Sequence, residues 1–197
     1  VENSFVNYFK SNTEIYKGMK LIDDKLGGTT PLEIIIQFKN NNPDENNDDE
    51  FLDFGFEYDP ADYWFTKEKM DLIKDIHDYI DNFEYTGKVL SLASVIRVAE
   101  GLNADKEFDN LELSVIYKKL PNKLKSQILD PYLSIDKNQA RLTVRMVDTN
   151  INLNRNDFLR EINSKFQDEY DTQNFNIYTT GILVLYNNML QSLFESQ

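Results

Sequence analysis

The residues that could perform chemistry include a dense acidic run in the first third of the chain. Five carboxylates fall between positions 44 and 50: Asp44, Glu45, Asp48, Asp49 and Glu50. Calcium takes six to eight oxygen ligands, so such a run could bind this ion. The run lacks the regular acidic spacing and the central glycine of a calcium-binding loop. A solvated loop is therefore the favoured interpretation, with cation binding as the alternative, and no metal ligand is assigned.

A second candidate is a pair of arginines on a predicted strand. Arg141 and Arg145 alternate with apolar residues and so share one face of that strand, and Arg97 could lie near them. Three guanidinium groups could bind an anion. The chain contains 34 acidic residues, so pairing with its own carboxylates is the favoured interpretation.

The only histidine, His77, lies beside Ile73 and Ile80 at the margin of a predicted helix face. Metal binding and triad catalysis both need partner residues that the sequence does not place near it. The chain has no cysteine, which excludes disulfides, thiolate metal sites and cysteine nucleophiles. It also has no glycine-rich phosphate loop. The sequence therefore predicts neither an enzyme nor a cofactor.

Aromatic residues cluster in the second half of a long segment between positions 39 and 66. They are Phe51, Phe54, Phe56, Tyr58, Tyr63, Trp64 and Phe65. The cluster could anchor the loop to the domain, or it could line a groove for an apolar ligand. For the second case, Phe54, Phe56 and Trp64 are the predicted substrate-contacting residues.

Composition limits the classes of partner. A length of 197 residues suits one domain, and the net charge of −13 should repel nucleic acids and anionic membrane surfaces. The sequence contains no run of about 18 apolar residues that could span a bilayer.

Hydrophobic periodicity predicts the elements that must position these residues. Thr66 should cap a strong helix, and Ser91 or Ser94 should cap the helix after the second strand. The predicted strands are 32–38, 86–91, 139–147 and 175–180. The predicted helices are 3–25 with a break at 11–13, 67–83, several within 92–130, 155–170, and a final apolar helix after Gly181.

This order is a helix, a β-α-β unit, a helical insert, a second β-α-β unit and a closing helix. It predicts an α/β (α+β) fold of the ferredoxin-like type, in which two split β-α-β units form a four-stranded, mostly antiparallel sheet with two helices on one face. The chain would be one domain, 1–197. Its parts are the entry helix with the first unit (1–91), the insert (92–135) and the second unit with the exit helix (136–197).

Four segments, in order, resemble extracytoplasmic domains of the resistance-nodulation-division (RND) superfamily. The most similar branch is the MMPL-like predicted exporters, the hydrophobe/amphiphile efflux group. The strand-to-helix run GKVLSLASVI at 87–96 carries the resemblance. It is joined by NSFVNYF at 3–9 with LGGTTPLEI at 26–34, by ARLTVRMVDT at 140–149, and by the closing helix that begins with TGILVL at 180–185. The acidic run at 40–50 is not a feature of that family.

The resemblance implies a periplasmic porter domain of a proton-driven exporter in the bacterial inner membrane. Its partners would be a hydrophobic or lipid-like small molecule and the other porter domain of the same polypeptide, with no nucleic acid, and a homo-oligomer is compatible with it. The proton-carrying residues of such exporters lie in membrane helices, so none is assigned here.

The alternative is an acidic ferredoxin-like module that binds a protein partner and has no transport role. The two differ in their flanking sequence. Apolar runs of about 20 residues on both sides favour the exporter.

Overall fold

A computed structural model of the protein describes residues 4–39, 64–170 and 174–195. Within these residues the chain forms an α+β domain, which confirms the predicted fold class. The strands are β1 (Thr30–Phe38), β2 (Thr86–Leu90), β3 (Leu133–Ser134), β4 (Gln139–Met146) and β5 (Phe175–Thr180). The α-helices are α1 (Glu14–Lys25), α2 (Lys67–Asp81), α3 (Leu92–Leu102), α4 (Asn110–Lys119), α5 (Asn122–Ile128), α6 (Arg155–Lys165) and α7 (Ile182–Glu195).

The sheet has the order β2-β4-β1-β5, and every pairing along it is antiparallel. The strands of each β-α-β unit are thus separated by one strand of the other unit. The short strand β3 also pairs with β4, beside its beginning, and was not predicted. Because β2 and β3 pair with different parts of β4, the helical insert leaves the sheet edge after Leu90 and returns at Leu133.

One face of the sheet is buried and the other is half covered, as β1 shows. Leu32, Ile34 and Ile36 are fully buried, while the residues between them are only partly covered. The buried face shares one core with apolar residues of α2 and α6, and Phe83 and Phe158 meet there with ring centroids 5.1 Å apart. These two helices therefore cover the same face of the sheet.

Two helices differ from their predicted bounds. The predicted break at 11–13 is confirmed, since Thr13 caps α1 by accepting a hydrogen bond from the Tyr16 amide at 3.2 Å. The segment before it is a short 3₁₀ turn, Phe5–Tyr8. The predicted helix 155–170 is α-helical only to Lys165 and continues as a π-helical turn, Phe166–Tyr170.

A backbone contact explains one glycine of the strand-to-helix run. A Cβ atom at Gly87 would lie 2.2 Å from the Gly27 carbonyl oxygen. This distance is too short for any residue with a side chain. Gly87 also falls where the register of β2 shifts against β4. Only glycine allows the turn after α1 to pack directly on this irregular part of β2.

The same run continues into a well-formed helix start. Ser91 is the N-cap of α3; its side chain accepts from the Ala93 amide at 3.1 Å, while Ser94 accepts from the Ser91 amide at 3.3 Å. The buried His77 places Nδ1 2.9 Å from Ser91 Oγ. The histidine therefore links α2 to the beginning of the insert.

We expect the His77 link to make stability depend on pH. Burial lowers the pKa of His77 below 6.5 and Arg97 lowers it further, with partial compensation by Asp81 and Asp78. The unfolded chain then binds the proton more readily than the folded chain, so the stabilising contribution is complete above pH 6.5 and is lost as pH falls through the folded pKa. Urea unfolding of wild type and His77→Gln between pH 7.5 and 5 tests this. The free energy of unfolding of the variant should depend less on pH than that of wild type. Identical pH dependences would contradict the role of His77.

The closing helix α7, predicted as an apolar helix after Gly181, exposes an apolar stripe. Its members are between 51% and 71% exposed: Ile182, Leu185, Met189 and Leu193. The opposite side of α7 is anchored by the fully buried Leu183. Among the described residues, no helix is long and apolar enough to cross a membrane.

Candidate functional site: an apolar pocket in the helical insert

The helices of the insert line a pocket of about 440 Å³ that is open to solvent on one side. This volume lies in the range of about 300–1,000 Å³ that is typical of small-molecule sites. Side chains from α3, α4, α5 and the segments that follow these helices form its wall, together with Phe65, which precedes α2. They are Phe65, Leu92, Ser94, Val95, Ile96, Val98, Ala99, Leu102, Phe108, Leu113, Ile116, Tyr117, Leu120, Ile128, Leu129 and Tyr132.

The amino-acid pattern of α3 explains why a cavity forms here. Its apolar residues Val95, Ile96, Val98, Ala99 and Leu102 spread over more than one face of the helix, whereas one stripe would suffice to pack it on the sheet. Ile96 is buried, but Val98 and Leu102 remain largely exposed. The second apolar side of α3 therefore faces the pocket.

The wall has little capacity for chemistry and a large capacity for apolar binding. Its one serine, Ser94, already engages the Ser91 amide through its hydroxyl. Apart from two tyrosines, the other lining residues carry no titratable side chain. A ligand would be held by removal of apolar surface from water, which stabilises a complex by about 25 cal/mol per Å².

A row of aromatic contacts joins the pocket to the sheet. Tyr117 of the pocket wall stacks on Phe65, with centroids 4.5 Å apart, and Phe65 meets Trp64 at 5.0 Å. Trp64 in turn packs edge-on against Phe38 of β1 at 6.0 Å. Lys69 lies over both Phe38 and Trp64, and burial lowers its pKa below 10.5. The pocket is thus continuous with the main core.

The structure describes only one of the three predicted substrate-contacting residues, Trp64. Phe54 and Phe56 lie outside the described residues, as does the acidic run 44–50, so their roles stay predictions. Trp64 is only 2% exposed and is absent from the pocket wall, although its neighbour Phe65 forms part of that wall. The indole N–H of Trp64 has no hydrogen-bond acceptor among the described residues.

Two of the three arginines that could have formed an anion site, Arg97 and Arg141, have other partners. Arg97 binds both carboxylate oxygens of Asp78 at 2.6 Å. Arg141 donates to the Pro131 carbonyl at 2.9 Å and lies 3.7 Å from Glu33. Pairing with the chain's own carboxylates, the favoured interpretation, is confirmed for Arg97 and, at a longer distance, for Arg141. For Arg145 it stays a prediction.

Sequence reasoning did not identify a buried ion pair, Asp148 with Arg155, which is the main polar feature of the described core. Asp148 binds Arg155 and also accepts from Ser4 Oγ at 2.5 Å and the Val6 amide at 3.1 Å. Tyr186 of α7 lies over the guanidinium, 5.6 Å from ring centroid to Arg155 Cζ. The pair fastens the N-terminal segment and α7 to the start of α6.

A second buried carboxylate, Asp23, holds the end of α1 against the loop after β4. It accepts from the amide and hydroxyl of Thr29 at 2.9 and 2.7 Å, from those of Thr149 at 2.8 and 2.7 Å, and from the Asp148 amide at 3.0 Å. Burial raises the pKa of Asp23, but the Thr149, Thr29 and Asp148 hydrogen bonds together lower it below 3.8. With both oxygens occupied, this carboxylate is structural and not catalytic.

We expect Asp23→Asn to destabilise the protein by about 2 kcal/mol at pH 6, because an amide offers one acceptor oxygen to these donors. The folded pKa is below 3.8, so the contribution of Asp23 is present above pH 3.8 and is lost as pH falls through the folded pKa. The stability difference between variant and wild type should therefore shrink at pH 3. Unfolding free energies from urea titrations at the two pH values measure it. A difference that is constant with pH would contradict the role of the charge.

The described residues form no recognisable metal site, and comparison with known proteins identifies no family. The described residues contain no group of three or more histidine or acidic side chains arranged to hold a metal ion. No family model matches the chain, and no significant match was found among curated proteins or solved structures.

Proposed function

We propose that this chain is the extracytoplasmic porter domain of an RND-type inner-membrane exporter and binds a hydrophobic or lipid-like molecule in the insert pocket. The observation that carries the proposal is the cavity of about 440 Å³ with an almost wholly apolar wall. Its serine, Ser94, already accepts a hydrogen bond from the Ser91 amide, and the remaining polar side-chain atoms belong to Tyr117 and Tyr132. A pocket of this kind selects ligands by apolar surface and shape.

Two further features support the exporter. The strand order β2-β4-β1-β5 is the order that two split β-α-β units give, which suits the ferredoxin-like fold implied by the resemblance. Within the resembling run at 87–96, the helix start at Ser91 leads directly into the pocket wall at Leu92. The segment that carries the family resemblance thus also forms part of the proposed site.

Binding can be measured with a neutral hydrophobic fluorophore, N-phenyl-1-naphthylamine, added to the 197-residue chain. We expect a saturable fluorescence increase with one site per chain that dodecanol competes away. A linear, non-competable increase would indicate unspecific adsorption and would overturn the proposal. The proposal that the chain belongs to an exporter is tested separately, by sequencing the full-length reading frame. That frame should encode apolar runs of about 20 residues on both sides of this chain.

The alternative function is a protein-interaction module, and the exposed stripe of α7 favours it. Ile182, Leu185, Met189 and Leu193 could bind an apolar surface of a partner. In that case the fluorophore should bind at α7, and substitutions in the insert pocket should leave its binding unchanged.

A further inference from the structure

One lysine amine lies directly beside the pocket wall. Lys125 Nζ is 4.0 Å from the ring centroid of Tyr117, which lines the pocket. Phe65 stacks on the same ring at 4.5 Å, so the two groups must occupy opposite faces. The amine therefore lies at the edge of the pocket, against one face of an aromatic ring of its wall.

The surface around Lys125 is locally basic in an acidic protein. The segment 117–126 contains four lysines, Lys118, Lys119, Lys123 and Lys125, and no acidic residue, while the whole chain has a net charge of −13. A local excess of one sign of charge attracts ligands of the opposite sign. This segment is therefore the part of the pocket's surroundings most favourable to an anion.

Three acidic residues in α3, in α4 and between these helices pair with lysines. Glu100 pairs with Lys74 at 2.7 Å. Further pairs join Glu107 to Lys67 at 2.5 Å and Glu112 to Lys106 at 2.9 Å. These pairs reduce the net negative charge of α3 and α4, whereas Asp130, five residues after Lys125, is the acidic residue nearest to it in the sequence.

We propose that the ligand of the insert pocket is a single-chain amphiphile with one negative charge, such as a fatty carboxylate. Its alkyl chain would lie among the apolar side chains of α3 and α4, and its head group would lie beside the Lys125 amine. This inference rests on the proposed function and specifies its ligand class. One compact ammonium group matches one monoanionic head group.

The test compares dodecanoate with dodecanol, which has the same chain length and no charge, by fluorophore displacement at pH 8. Wild type should bind dodecanoate about tenfold more tightly, as expected for one charge-assisted contact. Lys125→Met keeps the apolar stem but removes the charge. It should reduce the preference to about twofold or less. Lys125→Arg should restore most of the preference.

Lys123→Met is the matched control, because it removes an equal charge from the same helix, two residues away. It should retain most of the tenfold preference. Equal binding of the two ligands by wild type would overturn the inference, and that comparison does not depend on the folding of any variant. A loss in Lys123→Met as large as in Lys125→Met would overturn the role of Lys125. Failure of both ligands to bind would instead contradict the proposed function.

Discussion

Replacing Arg155 with methionine is expected to destabilise the protein by about 3–5 kcal/mol, the usual cost of leaving one partner of a buried ion pair uncompensated. Arg155 is 2% exposed and Asp148 is equally buried. In the variant, Asp148 would keep only the Ser4 hydroxyl and the Val6 amide from this cluster. The long apolar side chain of methionine preserves much of the packing under Tyr186. The loss of stability therefore measures mainly the removal of the positive charge.

The measurement is the free energy of unfolding from urea titrations, with Arg160→Met as the matched control. Arg160 lies on the same helix and pairs with Asp157 at the surface, where such pairs contribute about 0–1 kcal/mol. The double variant Asp148→Asn/Arg155→Met should recover part of the loss, because it removes the stranded charge. A change below about 1 kcal/mol in Arg155→Met would show that the cluster does not hold the N-terminal segment and α7 in place.

The second large effect concerns the pocket itself. Ala99→Phe would place a ring in the cavity from the middle of α3, where Ala99 lines the wall. If the ring displaces about three methylenes of a bound alkyl chain, at about 0.8 kcal/mol each, dodecanol should bind about fiftyfold more weakly. The protein should remain folded, because the ring enters existing space and replaces no packed side chain.

Leu111→Phe is the control for added aromatic surface. Leu111 is 73% exposed on α4 and is not part of the pocket wall. It should leave the dodecanol affinity within about twofold of wild type. Equal affinities of Ala99→Phe and wild type would place the ligand elsewhere, and the α7 stripe would become the leading candidate.

The elements that repeat a simple physical pattern could be predicted from the sequence. β1 alternates strictly between covered and half-covered residues, and Thr66, Ser91 and Thr13 each cap a helix by the expected side-chain hydrogen bond. Local periodicity and capping chemistry suffice for such features, because they depend on near neighbours in the chain.

The candidate site could not be predicted, because it depends on contacts between distant residues. Tyr117 and Phe65 are 52 positions apart, and only the folded insert stacks them. The aromatic cluster at 51–65 led to the prediction that Trp64 contacts the substrate, whereas its neighbour Phe65 lines the pocket. One sequence signal could have indicated the pocket: the excess of apolar residues on a second side of α3, which a helix covered on one face does not need.

The ion pair of Asp148 with Arg155 could not be predicted either, for a different reason. The seven-residue separation crosses a loop and a helix start, and the sequence contains many other acidic and basic residues at similar spacing. Burial distinguishes this pair from the exposed ones, and burial of a charged residue is decided by the tertiary structure.

The central claim is that the insert pocket binds a hydrophobic molecule, and photoaffinity mapping tests it most directly. Wild-type chain would be irradiated with a dodecanol analogue that carries a diazirine in its alkyl chain, and the labelled peptides would be identified by mass spectrometry. The account predicts adducts in residues 92–132, which disappear with excess dodecanol and in Ala99→Phe. Adducts concentrated in 182–193 of α7, or labelling that dodecanol does not compete away, would contradict it.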